Sequence, residues 1–300
     1  MLFLNVFSSS ALPLFVLIGI GFLADRLLKP DITTLSRLNF YILLPSALFM
    51  LVYETDLQFD EILRIGAFTL IHTGALFVLA MAVFSVGPLA EQRPTLVLGT
   101  VFSNFGNYGI PMMLVAFGQQ GVSVITMVLA AQVILVFTVG VVLFGAGQDG
   151  FKQSLSRLIR YPTLYAIALG SALRILHITL PPPIQVPFDQ LVVGFIVMAL
   201  VTLGAQLSRS QVAGDTGPVA VVTVIRLIVS PLAAAALTLA FNFEPEMSRI
   251  LIVAMSVPVA INTYILALEF DRDPALASRM IFWTTLISAV SIPALLLILR

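Results

Sequence analysis

The chain has 300 residues, of which 59% are hydrophobic and only 10% charged, where an ordinary soluble domain carries about 25%. So little charge cannot cover a water-exposed surface, so most of the exterior must face lipid. Fifteen basic residues balance fifteen acidic ones, which leaves no net charge to attract nucleic acid. There is no cysteine, and only His72 and His177 are histidines; disulfides, thiolate chemistry and Cys- or His-rich metal sites are thereby excluded.

The N-terminal apolar stretch runs to Ala24 without the basic n-region of a signal peptide, and it reads as the first membrane helix. Segments of roughly 20 apolar residues, delimited by charge, Gly and Pro, predict ten transmembrane helices. They fall at 6–24, 32–53, 62–86, 94–117, 120–145, 160–178, 188–208, 217–241, 247–269 and 275–299. The loops are short, the longest being the central GAGQDGFKQSLSRLIRYP. With the N-terminus outside, Arg26, Lys29, Arg37, Arg93, Lys152, Arg157, Arg160, Arg209, Arg272 and Arg279 gather on the cytoplasmic side. Arg64, Arg174, Arg249 and Arg300 remain opposite, a bias that predicts an N-out/C-out topology.

The two halves resemble each other. LPLFVLIGIGFLADRLL (12–28) aligns with YPTLYAIALGSALRILH (161–177), matching Pro13 to Pro162 and Gly21 to Gly170. The loop Gly118-Gln-Gln-Gly121 aligns with Asp271-Arg-Asp-Pro274, in a register shifted by four residues. The predicted units are a first five-helix repeat over 1–148, a short cytoplasmic linker over 149–160 and a second repeat over 161–300. An odd number of helices per repeat forces the second to enter from the opposite side, the inverted-topology arrangement that underlies alternating access.

Span four, TLVLGTVFSNFGNYGIPMMLVAFG, carries Gly99, Gly106, Gly109 and Pro111 with Asn104 and Asn107 among them. Proline removes a backbone donor and glycine adds slack, so the helix is expected to break near Pro111. In span nine Pro258 supplies the break, followed by Asn262, Thr263 and Tyr264. Broken backbone at membrane depth is tolerated where it lines a cavity, and the restarting helix offers its positive end to an anion.

Arg226 lies within span eight, roughly 13 Å along its axis. A charge there costs at least ~2.5 kcal/mol on the insertion scale and marks function by default. Two roles stay open, a partner for a carboxylate substrate and a strut bonded to backbone carbonyls. The amides Asn104, Asn107 and Asn262 can line a site or bridge helices. Tyr41, Ser46, Gln132, Gln206, Thr285 and Ser288 are weaker substrate or ion candidates. His72 could relay a proton or join two helices. No HExxH, GxSxG or intramembrane aspartate pair exists to support an enzyme, and paired breaks suit a carrier better than a channel.

SNFGNYGIP with its Gly-Gln-Gln-Gly loop resembles the fourth helix of the auxin efflux carrier family, within the bile acid/arsenite/riboflavin transporter-like superfamily. NFYILLPSALF (39–49), Leu-Gly-Ala-Gln-Leu (203–207), AMSVPVAINTYILALEFDRD and TLISAVSIP resemble its second, seventh and last two helices. The resemblance implies that the broken fourth and ninth helices cross. Helices 1, 2, 6 and 7 would form a scaffold, often dimeric, and helices 3–5 and 8–10 an elevator-like carrier. It further implies an organic anion substrate in the plasma (inner) membrane. The residues leave the coupling ion, Na+ or H+, open: carbonyls and amides suit Na+, the lack of a buried carboxylate disfavours H+, and the membrane potential alone can drive an anion. The long central loop of the plant members is missing, so the implied relative is a prokaryotic transporter and not a carrier of auxin.

Overall fold

The computed structural model describes residues 1–143, 162–269 and 271–300, so the predicted linker 149–160 lies outside the described residues. These residues are helical throughout, with one isolated antiparallel bridge between Ser103 and Val259 as the only β pairing among them. Twelve helices are named in chain order: α1 (Leu2–Ser10), α2 (Leu12–Leu28), α3 (Ile32–Tyr53), α4 (Phe59–Val83), α5 (Arg93–Val101) and α6 (Ile110–Leu143). They continue with α7 (Pro162–Ile175), α8 (Pro182–Ser208), α9 (Gly217–Ala240), α10 (Pro245–Ala254), α11 (Asn262–Glu269) and α12 (Pro274–Ile298). Among the described residues six stretches are long and apolar enough to cross a membrane, or seven if α1 and α2, bent by 50°, count as one. The protein is a multi-pass membrane protein.

The stretch Phe105–Val133 passes that test as a single rod, but the chain reverses within it. Gly118 is non-helical, with φ 61° and ψ −148°, a region open almost only to glycine. A Cβ on Gly121 would lie 2.8 Å from the Met113 carbonyl oxygen, and one on Gly109 would lie 3.3 Å from the Ile125 side chain. A straight helix would separate eight residues by about 12 Å. The chain therefore forms a helical hairpin at Gly118, close to the boundary expected between spans four and five.

Among the described residues three π-helical turns interrupt the ladder, at Asn39–Leu43, Phe105–Gly109 and Ile225–Val229. Each is followed by one residue and then a proline, in Leu44-Pro45, Ile110-Pro111 and Ser230-Pro231. A proline has no N–H and presses on the carbonyl four residues back. Here the residue before each proline bonds five residues back, to Asn39, Phe105 or Ile225, and the wider turn relieves that pressure.

Helix contacts fall into two groups. In the first, α2 packs on α8, α3 on α7 and α3 on α8. Two glycines allow the α2–α8 approach, since a Cβ on Gly21 would lie 2.0 Å from the Val201 carbonyl oxygen and one on Gly204 would lie 1.9 Å from that of Ile18. Buried Asp25 closes one end of this pair with a 2.7 Å ion pair to Arg209, while Arg26 donates to the Ser208 carbonyl at 2.9 Å. Asp31 caps α3 nearby; the Thr34 hydroxyl and Thr33 amide hold its carboxyl below the usual carboxylate range. In the second group α4 packs on α5, α6 and α9, α9 on α10 and α12, and α5 on α12.

Candidate functional site

The second group is built around two interrupted helices. α5 ends at Val101 and the chain resumes as the π turn Phe105–Gly109; α10 ends at Ala254 and resumes as α11 at Asn262. Both interruptions lie deep inside the protein, and they touch. Asn104 N–H donates to the Pro258 carbonyl at 2.9 Å, and Ala260 N–H donates to the Phe102 carbonyl at 3.0 Å. Peptide groups freed from two helices thus satisfy each other, as buried backbone must.

Side chains complete the pairing with near two-fold likeness. Ser103 N–H donates to Gln132 Oε1 at 3.1 Å, and Val259 N–H donates to Thr284 Oγ1 at 3.2 Å. Gln132 and Thr284 lie on the helices that follow each break. Gln132 Nε2 also donates to the Ser103 carbonyl at 2.9 Å, so one amide engages both backbone groups of that residue. Replacing Gln132 with Leu strands both groups in the interior, at about 1–3 kcal/mol each. Thermal unfolding in detergent is expected to register a loss of at least ~2 kcal/mol; a change below ~0.5 kcal/mol would mean that Gln132 does not hold the break.

The structure moves the first break. Pro111 was the expected breakpoint, yet helix is lost at Phe102–Asn104 and Pro111 lies in the first α-helical turn after the π turn. A first-turn proline lacks only a hydrogen bond that the helix start does not need. Pro258 does lie inside its interruption. The counterparts that meet are accordingly Ser103 and Val259, not Pro111 and Pro258.

Arg226, 1% exposed, reaches both breaks. Nη1 donates to the Thr100 carbonyl at 3.2 Å, while Nη2 donates to Met255 O at 3.2 Å, Val257 O at 2.9 Å and Ser103 Oγ. Nε has no protein partner. Its acceptors cluster at the C-terminal ends of α5 and α10, where helix dipoles concentrate negative charge. The only buried acid among the described residues is the distant, paired Asp25. One turn on, Ser230 Oγ donates to Met255 O at 2.6 Å, and His72 Nε2 donates to the Ser230 carbonyl at 3.0 Å. His72 here joins α4 to α9.

Amides collect where the π turn Phe105–Gly109 faces the first helix group. Asn39 Nδ2 donates to Asn107 Oδ1 at 3.1 Å, and Gln206 Nε2 donates to Ser36 Oγ at 3.1 Å. α8 packs along the π turns that hold Asn39 and Asn107. Three buried amide atoms here, Asn39 Oδ1, Asn104 Nδ2 and Gln206 Oε1, have no protein partner. Asn39 lay outside the sequence candidates.

The family model for membrane transport proteins matches residues 6–296, nearly the whole chain. The chain belongs to the auxin efflux carrier family. A "Putative malonate transporter" of Rhizobium meliloti (strain 1021) is 25% identical over 307 residues, covering 96% of this chain and 94% of the relative. An uncharacterized transporter of Methanothermobacter thermautotrophicus is 24% identical over 293 residues, covering 95% of this chain and 96% of its own. The family and these relatives are transporters, not enzymes.

In this transporter the remaining candidates are placed as follows. Thr285 is buried with Oγ1 unpartnered, and Ser288 Oγ donates to Tyr108 Oη at 3.0 Å, tying α12 to the π turn. Asn262 and Ser46 are half-buried; Tyr264 is 39% exposed and Tyr41 58% exposed on the outer surface. No group of three His, Asp or Glu among the described residues could hold a metal ion.

Proposed function

We propose that this membrane transporter is a secondary carrier for a small organic anion, a malonate-like carboxylate, working by alternating access. The observation that carries the proposal is the crossing of two interrupted helices, with helix starts at Phe105 and Asn262 beside it. Helix N-termini attract anions. Asn104 Nδ2 is a buried donor without a protein partner, and a carboxylate oxygen would supply one. Arg226 behind the crossing adds a charge that no nearby acid cancels. The site proposed for the anion comprises Asn104, Asn107, Asn262 and the newly found Asn39, with Arg226 acting mainly through its field. The 25% identical relative described as a malonate transporter gives this reading only slight support.

In the same proposal the chain makes ten passes as two inverted five-helix repeats, with both termini outside. The paired side-chain clamps at Ser103 and Val259 favour it, as does the hairpin at Gly118. The helices α2, α3, α7 and α8 would form the scaffold, with α1 leading into α2, and α4–α6 with α9–α12 would move as an elevator. The amide cluster on the boundary between the two groups is where such a motion would expose a solute to each side in turn.

Flux into proteoliposomes tests the function, with radiolabelled malonate beside acetate and succinate. Saturation and counter-exchange are expected. A monovalent anion crossing 100 mV releases about 2.3 kcal/mol, an accumulation of about 50-fold without a coupling ion. Flux that rises linearly with concentration and shows no counter-exchange would indicate a channel and overturn the proposal.

A further inference from the structure

Arg226 also bears on what drives the carrier. Three backbone carbonyls and one hydroxyl, from Thr100, Met255, Val257 and Ser103, converge on its guanidinium. They come from the last turn of α5 and from the unwound segments that follow α5 and α10. Such an all-oxygen set at half-helix C-termini is what discontinuous membrane helices present to a monovalent cation. Two helix ends, each equivalent to roughly −0.5 charge, together attract about one positive charge. The guanidinium supplies it, stays protonated and is covalently held by α9.

We propose that Arg226 is a tethered cation that fills this oxygen cage permanently, so that the carrier takes no sodium ion there and transports without a sodium gradient. This inference deepens the carrier reading and rests on it for its transport consequence; the cage itself can be tested without substrate. Because the charge cannot leave, it stays at the crossing whether or not an anion is bound.

The test begins with the purified wild-type protein in detergent, compared in sodium and choline chloride at matched ionic strength. Its unfolding midpoint is expected to be the same in both, because a ligand that binds only the folded state would raise it. R226A should unfold several degrees lower. Millimolar methylguanidinium should recover a good part of that loss and sodium a smaller part, while neither shifts the wild type. R226K, with the charge but not the planar fork, should fall between the two and ignore sodium. In proteoliposomes, wild-type malonate uptake should change by less than about two-fold when choline replaces sodium.

A sodium-specific rise of the wild-type midpoint, or uptake that collapses without sodium, would overturn the proposal. So would an R226A midpoint that neither cation moves. If R226A does not accumulate, the wild-type and R226K comparisons decide alone. Absence of malonate flux under every ionic condition would count against the carrier reading, and the midpoint shifts would still judge the cage.

Discussion

Asn107→Ala is expected to cut malonate flux by about 10- to 100-fold while leaving the unfolding midpoint within a few degrees, and Asn262→Ala should behave alike. A hydrogen bond to a charged acceptor contributes about 1.5–3 kcal/mol, and each 1.4 kcal/mol is a factor of ten. Asn107 lies on the π turn that restarts the first broken helix, half-buried, with Oδ1 already accepting from Asn39. Its Nδ2 therefore remains as the donor for a carboxylate. Asn262 opens α11, where its own amide adds to the positive end of the helix. Ser46→Ala, on the scaffold helix α3 and outside the anion site proposed above, serves as a control and should leave flux within about two-fold. Normal flux through both asparagine variants would remove them from the site.

The largest structural effect is expected at Gly204. A methyl group there would lie 1.9 Å from the Ile18 carbonyl oxygen and 2.8 Å from the Phe22 nitrogen. These are backbone atoms, so no rotamer change relieves the clash; α2 and α8 must separate along the whole contact. Overpacking typically costs 1–3 kcal/mol, and Gly204→Ala should cost about 3 kcal/mol or more because it also loosens the reciprocal seat of Gly21 on Val201. Close backbone approach through small residues is a main source of attraction between helices in lipid. Gly19→Ala, on the partner helix α2 two residues before Gly21 and with nothing within 4 Å of the added carbon, should be neutral or slightly stabilising. Thermal unfolding of both variants in one detergent checks this, and equal stability would contradict the packing described.

The sequence match of Gly21 to Gly170 has a physical counterpart. Gly21 seats against α8, and a Cβ on Gly170 would lie 2.6 Å from the Phe49 carbonyl oxygen of α3. Both positions need the missing side chain, which is why the two stretches look alike. The interruptions were legible for a similar reason, because Pro and Gly act locally. Where each helix stops was not, because the stop at Phe102–Asn104 depends on Gln132 and Val259, distant in sequence.

Asn39 was missed although a signal existed. A buried polar residue five or six positions before a membrane-helix proline recurs as Asn39 before Pro45 and Arg226 before Pro231, each inside a π turn. Tyr41 drew attention in its place. Two residues along a helix turn the side chain about 200°, to the opposite face, and Tyr41 accordingly points outward. The role of Arg226 was half legible. Its depth marked it, but its four oxygen partners lie on two other helices and no local pattern announces them.

A cross-link between the two breaks tests the central claim most directly, and the cysteine-free chain makes it clean. Ser103 and Val259 sit opposite each other in an antiparallel bridge, where Cβ atoms lie about 4.5–5.5 Å apart, close to disulfide reach. In S103C/V259C with a protease site engineered into 149–160, mild oxidation should keep the two halves joined in denaturing gels until reductant is added. Halves that separate after cleavage, despite oxidation that joins a nearby control pair, would mean that the interrupted helices do not meet.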